Sequence, residues 1–192
     1  MAKRASAIAM ALLLGAACTP TVTPGPAPFD ASQYPAIRLQ VGSIEVANAA
    51  RMPPEMGFIA RQRSERLVQE AQAFLRTRLV AVGGTDFARA TVEEASLVER
   101  PRPTGTGYVA RATEPDWEMV GVLALKVAVI DGLGIELAFA TSRVEIRRTI
   151  SQRASVEAKE NFARTIINDL LAASSRELET SIDQNLADRK AG

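Results

Sequence analysis

The chain has 192 residues, 47% of them apolar and 23% charged, with 23 Lys and Arg set against 22 Asp and Glu. That mix suits one domain of ordinary size with room for a sizeable core. The even charge, alternating in sign along the chain, excludes the concentrated basic face that nucleic-acid binding needs. There is no histidine and only one cysteine, so the commonest general base, the commonest zinc ligand and any intramolecular disulfide are missing.

At the amino terminus Lys3 and Arg4 precede an uncharged apolar run from Ala5 to Ala17. As a helix this run spans about 20 Å, short of the ~30 Å hydrocarbon core of a bilayer. Residues 1–17 therefore read as an export signal and not as a membrane-spanning helix. The next residue is Cys18, within "ALLLGAACTP". A cysteine directly behind a leucine-rich run and small residues resembles the lipobox of bacterial lipoproteins, in which a peptidase cuts before the cysteine and its sulfur takes up a diacylglycerol. The resemblance implies lipid attachment at Cys18 and a membrane as partner. Thr19, where an aspartate would retain the protein at the inner membrane, implies the outer membrane, with the domain facing the periplasm. Gly15 stands where the lipobox has Leu, Val or Ile, and Leu14 lies one step further back. Gly15 and Ala17 also suit an ordinary signal peptidase cutting at the same bond. A soluble periplasmic protein is thus an alternative, and a buried structural cysteine a third.

Residues 18–35 carry Pro20, Pro24, Pro26, Pro28 and Pro35 and little to bury. They read as an extended tether, able at ~3.1 Å per residue to hold a domain about 50 Å from its anchor. The folded domain is expected over residues 36–192.

Its first element, residues 36–47, alternates Ile37, Leu39 and Val41 with Arg38 and Gln40, the period of a strand. The phase slips at Gly42 and Ser43, as at a β-bulge, before Ile44 and Val46 resume. After an irregular stretch at Pro53 and Pro54, Ser64 offers an N-cap, and Leu67, Ala71, Leu75, Leu79 and Val82 recur at helical spacing up to Gly83 and Gly84. This predicts a helix over 64–82. Residues 87–99 read as a strand bulged near Glu93 and Glu94. Residues 100–116 are rich in Pro and Gly and read as a long loop, the kind that carries contacts.

Residues 117–130 form the strongest strand, apolar on both faces, with Met119, Leu123, Leu125, Val127 and Val129 on one side. "DGLG" at 131–134 supplies a hairpin turn, and 135–146 returns as the fourth strand. A helix over 155–190 closes the chain, with a stripe that thins after Ala173, so that its last turns are expected to overhang.

The order β-α-β-β-β-α gives an α+β fold: a four-stranded, mostly antiparallel sheet with two helices on one face. The other face is then uncovered and partly apolar, with Val120, Val122, Ala124, Ala138 and Ala140 expected there. Through "YPAIRLQVGSIEVAN" at 34–48, "LRTRLVAVGG" at 75–84 and the closing helix, the chain resembles small alphaproteobacterial lipoproteins of unknown function. More distantly, its element order resembles the auxiliary lipoproteins of ABC-type lipid transport and the lipopolysaccharide-assembly lipoprotein that sits inside a β-barrel partner. These resemblances imply a noncatalytic accessory in outer-membrane transport or assembly, with an envelope protein or a lipid as partner.

Catalytic chemistry has little to work with. The acid pairs Glu93 with Glu94 and Asp116 with Glu118 are local and lack a third ligand, and the serines have no histidine partner. No enzyme, metal or cofactor is expected. Arg143, Arg147, Arg148 and Arg153 could meet a phosphate, but a charged strand end that blunts aggregation fits them as well. The candidate partner contacts are Trp117, at the head of the apolar strand, and Tyr108 and Arg111 in the long loop. A lipid or glycolipid module that uses the apolar sheet face directly is the second reading.

Overall fold

Strand pairing in the computed structural model, which describes residues 24–102 and 117–191, begins where the alternation of Ile37 and Leu39 demands it. Strand β1 (Ile37–Leu39) is followed by β2 (Ser43–Asn48), helix α1 (Phe58–Arg78), β3 (Leu79–Ala81), β4 (Phe87–Pro101), β5 (Trp117–Ile130), β6 (Glu136–Ile150) and helix α2 (Val156–Asn185). The main sheet has four strands in the order β2-β4-β5-β6. Its first pair is parallel and the other two are antiparallel. Both helices lie on one face of this α+β fold, as expected. The core between the layers is built from Met119, Leu123, Leu125, Val127 and Val129 of β5 against Leu67 and Phe74 of α1 and Ile166, Leu170 and Leu178 of α2.

Four expectations of element boundaries are corrected. Gly42 and Ser43 are not a bulge within one strand, because β1 leaves the main sheet and pairs in parallel with β3, while β2 joins β4. Gly42 donates its N–H to the carbonyl of Asp86 at 2.7 Å, and a Cβ there would stand 2.8 Å from the carbonyl oxygen of Gly84. This close backbone crossing is what the phase slip signalled.

Helix α1 starts six residues before Ser64, behind Gly57, and the side chain of Arg61 donates to the carbonyl of Pro53 at 3.2 Å. The same helix stops at Arg78. Leu79 and Val80, which the helical spacing had taken in, form β3 because the backbone of β1 offers them a partner. Strand β6 runs four residues further than expected, to Ile150.

The fourth correction is at the carboxyl terminus. Helix α2 starts behind Ser155, whose hydroxyl accepts from the N–H of Ala158 at 3.1 Å, and ends at Asn185. Its last turns do not overhang, since Leu178, Ile182 and Leu186 are all fully buried. Beyond them a short 3-10 turn leads the chain back to β1, where the N–H of Gln40 donates to Arg189 and that of Ala191 to Arg38.

Two other expectations hold. The register of β4 on β5 shifts between Val92 and Glu94, which is the predicted bulge. The β5–β6 turn is closed by Asp131, whose carboxylate accepts from the N–H groups of Leu133 and Ile135, with Gly134 at φ +86.

Helix side chains accept backbone N–H groups at both edges of the sheet. Strand β4 outruns its short partner β2, and there Ser64 of α1, wholly buried, accepts from the N–H of Leu97 at 2.9 Å while donating to the carbonyl of Ala60. On the opposite edge Ser181 of α2 accepts from the N–H of Thr141 at 3.0 Å. An edge N–H satisfied in this way is withheld from a passing strand. Ser64→Ala is expected to leave the N–H of Leu97 buried and unpaired, at a cost of about 1–3 kcal/mol. Urea unfolding should report this as a lowered midpoint with an unchanged slope.

Candidate functional site

The uncovered face of the main sheet is organised around β5. Register places Val120 between Val98 and Arg147, Val122 between Ser96 and Glu145, Ala124 between Glu94 and Arg143, and Ala128 between Arg89 and Phe139. The central strand is therefore an apolar seam, interrupted by Lys126 between Ala124 and Ala128, with largely polar strands on either side. Of the five residues expected here, Val120, Val122 and Ala124 are in place. Ala138 and Ala140 are not: register sets them opposite Val129 and Val127 on the helix-covered side, with Ala140 in the core. Phe139 takes the outer position, because β6 alternates from a register shift beside Ile130.

The flanking charges close over the seam. Arg143 and Glu94, on the strands either side of β5, pair with each other, and the carboxylate raises the pKa of the guanidinium further. Arg89 pairs with Glu45 at 2.9 Å, Arg100 with Glu118 at 3.1 Å and Lys126 with Glu136 at 2.8 Å. Val120, Val122, Ala124 and Ala128 stay 5–8% exposed between these flanking side chains. Towards the β5–β6 hairpin this cover ends. Phe139 is 49% exposed, with the ammonium of Lys126 4.7 Å from its ring centre, and Leu133, Ile135 and Leu137 stand open to solvent beside it.

The arginines named as a phosphate site are dispersed into separate contacts. Arg147 pairs with Glu145 and Arg148 with Asp169 of α2, while Arg153 is also engaged. Glu94 and Glu118 are each paired with an arginine, and among the described residues no group of three potential metal ligands occurs.

Of the candidate contacts, Cys18, Tyr108 and Arg111 lie outside the described residues, as do Asp116 and most of the long loop. Trp117 is half-buried at the opposite end of the sheet from the hairpin. The ammonium of Lys159 lies 5.7 Å from its ring centre and pairs with Glu99 at 2.6 Å. Glu99 and Glu160 together hold the buried Arg63. Trp117, Phe58 and Ile59 line an open depression of about 430 Å³ above this network.

The stretch expected to be a free tether is divided. From Pro26 onward it lies along the two helices as a strap. Asn168 of α2 donates to the carbonyl of Ala27 at 2.8 Å, and Phe29 stacks on Tyr34 and meets Phe74 of α1 edge-on. Asp30 caps a 3-10 turn; the hydroxyl and N–H of Ser32 and the amide of Gln33 hold its carboxyl below the usual range. Tyr34 lies over the guanidinium of Arg78, which is fully buried and bound to Glu179 at 2.9 Å. The signal for this docking was in the sequence: Phe29 and Tyr34 are two aromatics in a chain with few.

Beneath the strap, burial pushes the carboxyl of Glu70 up, against the opposing pull of Arg66 and Arg164. A carboxyl raised on folding favours the folded state most when protonated, below its unfolded pKa, and loses that contribution as pH rises through the folded value. Glu70→Gln, a mimic of the protonated form, is therefore expected to raise Tm at neutral pH. The gain should vanish near about pH 4, which thermal melts across that range would show.

No helix among the described residues is long and apolar enough to cross a membrane. No family model matches the sequence, and no curated protein matches it. Among solved structures, the chain is similar to a minor lipoprotein from Acinetobacter baumannii, at 14% identity over 80% of this chain and 98% of that one, with a TM-score of 0.38. It is also similar to the rare lipoprotein B of Shewanella oneidensis, at 16% identity over 74% and 96% with a TM-score of 0.41. An uncharacterised lipoprotein B from Nitrosomonas europaea shares 14% identity over 74% and 90%, with a TM-score of 0.33. These scores and identities are low, and the functional reading rests on the chain's own residues.

Proposed function

We propose that the protein is a noncatalytic lipoprotein, anchored through Cys18 to the outer membrane and facing the periplasm, whose domain binds an envelope protein in transport or assembly. The anchor rests on the grammar of the first eighteen residues: a short positive start, an apolar run too short to span a bilayer, and the cysteine behind it. The observation that carries the binding role is the apolar cluster of Leu133, Ile135, Leu137 and Phe139. These are four exposed large side chains within seven residues of one hairpin, on a sheet whose helix side is already filled. Apolar side chains gathered in one place and rimmed by charge mark a partner site, whereas scattered ones do not.

A lipid module would need accessible apolar surface along the sheet, and the seam offers little, at 5–8% exposure. A photo-crosslinking residue at Phe139 is expected to give one dominant adduct with an envelope protein in intact cells. One at Arg176, exposed on α2, is expected to give none. Equal patterns from the two positions would overturn the reading.

A further inference from the structure

The two ends of the domain both carry exposed apolar side chains, but they lie at very different distances from the start of the strap. Gly25 lies against the side chain of Asn161, in the second turn of α2, and from there the strap follows both helices towards their carboxyl ends, reaching Arg78 at Tyr34. Only six residue steps separate Pro24 from Cys18, so the acylated residue stays within about 20 Å of the start of the strap. Close by are the first turns of both helices, with Phe58 76%, Ile59 50% and Val156 80% exposed, and the half-buried Trp117. The hairpin cluster, by contrast, borders Asn185, about 36 Å further along α2 than Asn161. Past their first turns the helices expose no large apolar side chain among the described residues. A domain lying on its helices would therefore press charge, not carbon, against the membrane.

We propose that the helix-start end, with Phe58, Ile59, Val156 and Trp117, seats in the interfacial layer of the anchoring bilayer, so that the hairpin cluster points away from the membrane. This inference rests on the lipidation of Cys18. Aromatic and aliphatic side chains settle at the headgroup level, where Trp is enriched. Lys159 holds its ammonium 5.7 Å from the ring centre of Trp117 and pairs it with Glu99, which neutralises both charges at this end. Glu55 and Glu157, both exposed at this end, limit the insertion to a shallow one. The short reach from Cys18 then fixes orientation as well as distance, and it offers the hairpin to a partner in the periplasm.

The test uses the full chain, made with its own leader and reconstituted in vesicles of phosphatidylethanolamine and phosphatidylglycerol. The chain's sole cysteine is consumed by the thioether, so Val156→Cys and, separately, Leu133→Cys each carry one free thiol for a polarity-sensitive fluorophore. Both positions are solvent-exposed, so neither label disturbs the core. The probe at 156 is expected to shift to the blue, brighten several-fold and be quenched by lipids with brominated acyl chains. At 133 it should behave as it does in water. Protein that floats with the vesicles while 156 reports water, or while 133 reports lipid, overturns the orientation and leaves the anchor standing. Protein that does not float overturns the anchor and the orientation with it.

Discussion

Cys18→Ser is expected to move the protein entirely from the membrane fraction to the soluble fraction and to abolish labelling by a fatty-acid analogue. The serine hydroxyl cannot take the thioether-linked diacylglycerol, so every acyl chain is lost at once. Two or three acyl chains, at about 0.8 kcal/mol per buried CH₂, hold a protein in a membrane essentially permanently. The exposed tip at Phe58, Ile59 and Val156 offers at most about 1.5–3 kcal/mol for each side chain fully buried, and a shallow seat realises only part of that. The tip can orient an anchored domain but cannot retain a released one. Equal labelling of wild type and variant would refute lipidation at this residue. Gly15→Leu supplies the branched side chain that the lipobox has three residues before its cysteine, and is expected to raise or preserve labelling. A wild-type chain that takes up no label would mean that the bond is cut by the ordinary signal peptidase.

What the sequence disclosed about the fold follows from which forces are local. The apolar run along 117–130 read as a strand with Met119, Leu123, Leu125, Val127 and Val129 on one side, and these are the fully buried residues of β5. The Asp131 to Gly134 turn and the Ser155 cap are likewise local, because each is closed by side-chain to backbone bonds over a few residues. The parts that escaped depend on distant partners. Leu79 and Val80 suit a helix by spacing and become strand because β1, some forty positions earlier, needs a neighbour. Ser64 has the composition of a cap, but it sits inside α1, where the N–H of Leu97 at the edge of β4 needs an acceptor. Leu178, Ile182 and Leu186 looked like a thinning stripe because the carboxyl-terminal return to β1, which extends the core beneath them, leaves no periodic mark.

The candidate site was legible in outline only. Counting two helices against four strands was enough to leave one sheet face uncovered. Which residues occupy it depended on the phase of β6, set by a register shift at its hairpin that no propensity encodes, and Phe139 for that reason replaced Ala138 and Ala140. The strap was missed because five prolines outweighed two aromatics in the reading. Proline disfavours helix and sheet ladders but does not oppose docking, since an extended segment can lie in a groove and bond through its carbonyls, as Ala27 does to Asn168.

Gly121 should be among the least tolerant positions in the core. It lies mid-strand in β5 where α2 crosses, and a Cβ built there would stand 2.7 Å from Cδ1 of Leu170, 2.9 Å from Cγ2 of Ile166 and 3.2 Å from Cδ1 of Leu97. Leu170 can swing its terminal methyl aside. Ile166 cannot, because a β-branched side chain in a helix has one strongly preferred χ1 rotamer, and leaving it pushes a methyl into the preceding turn. Relief must therefore come from α2 itself, whose neighbouring side chains Ile167 and Leu171 are also fully packed. Gly121→Ala loses part of this strain to the smaller entropy of its unfolded chain, worth about 0.4–1 kcal/mol, and should cost about 1 kcal/mol net. Gly121→Val adds two methyl groups to the same contact and should cost about 3 kcal/mol or more, at the top of the range for overpacked cores. Urea unfolding of the soluble Cys18→Ser domain would measure both. A valine variant as stable as wild type would mean that α2 crosses β5 at a greater distance than it does here.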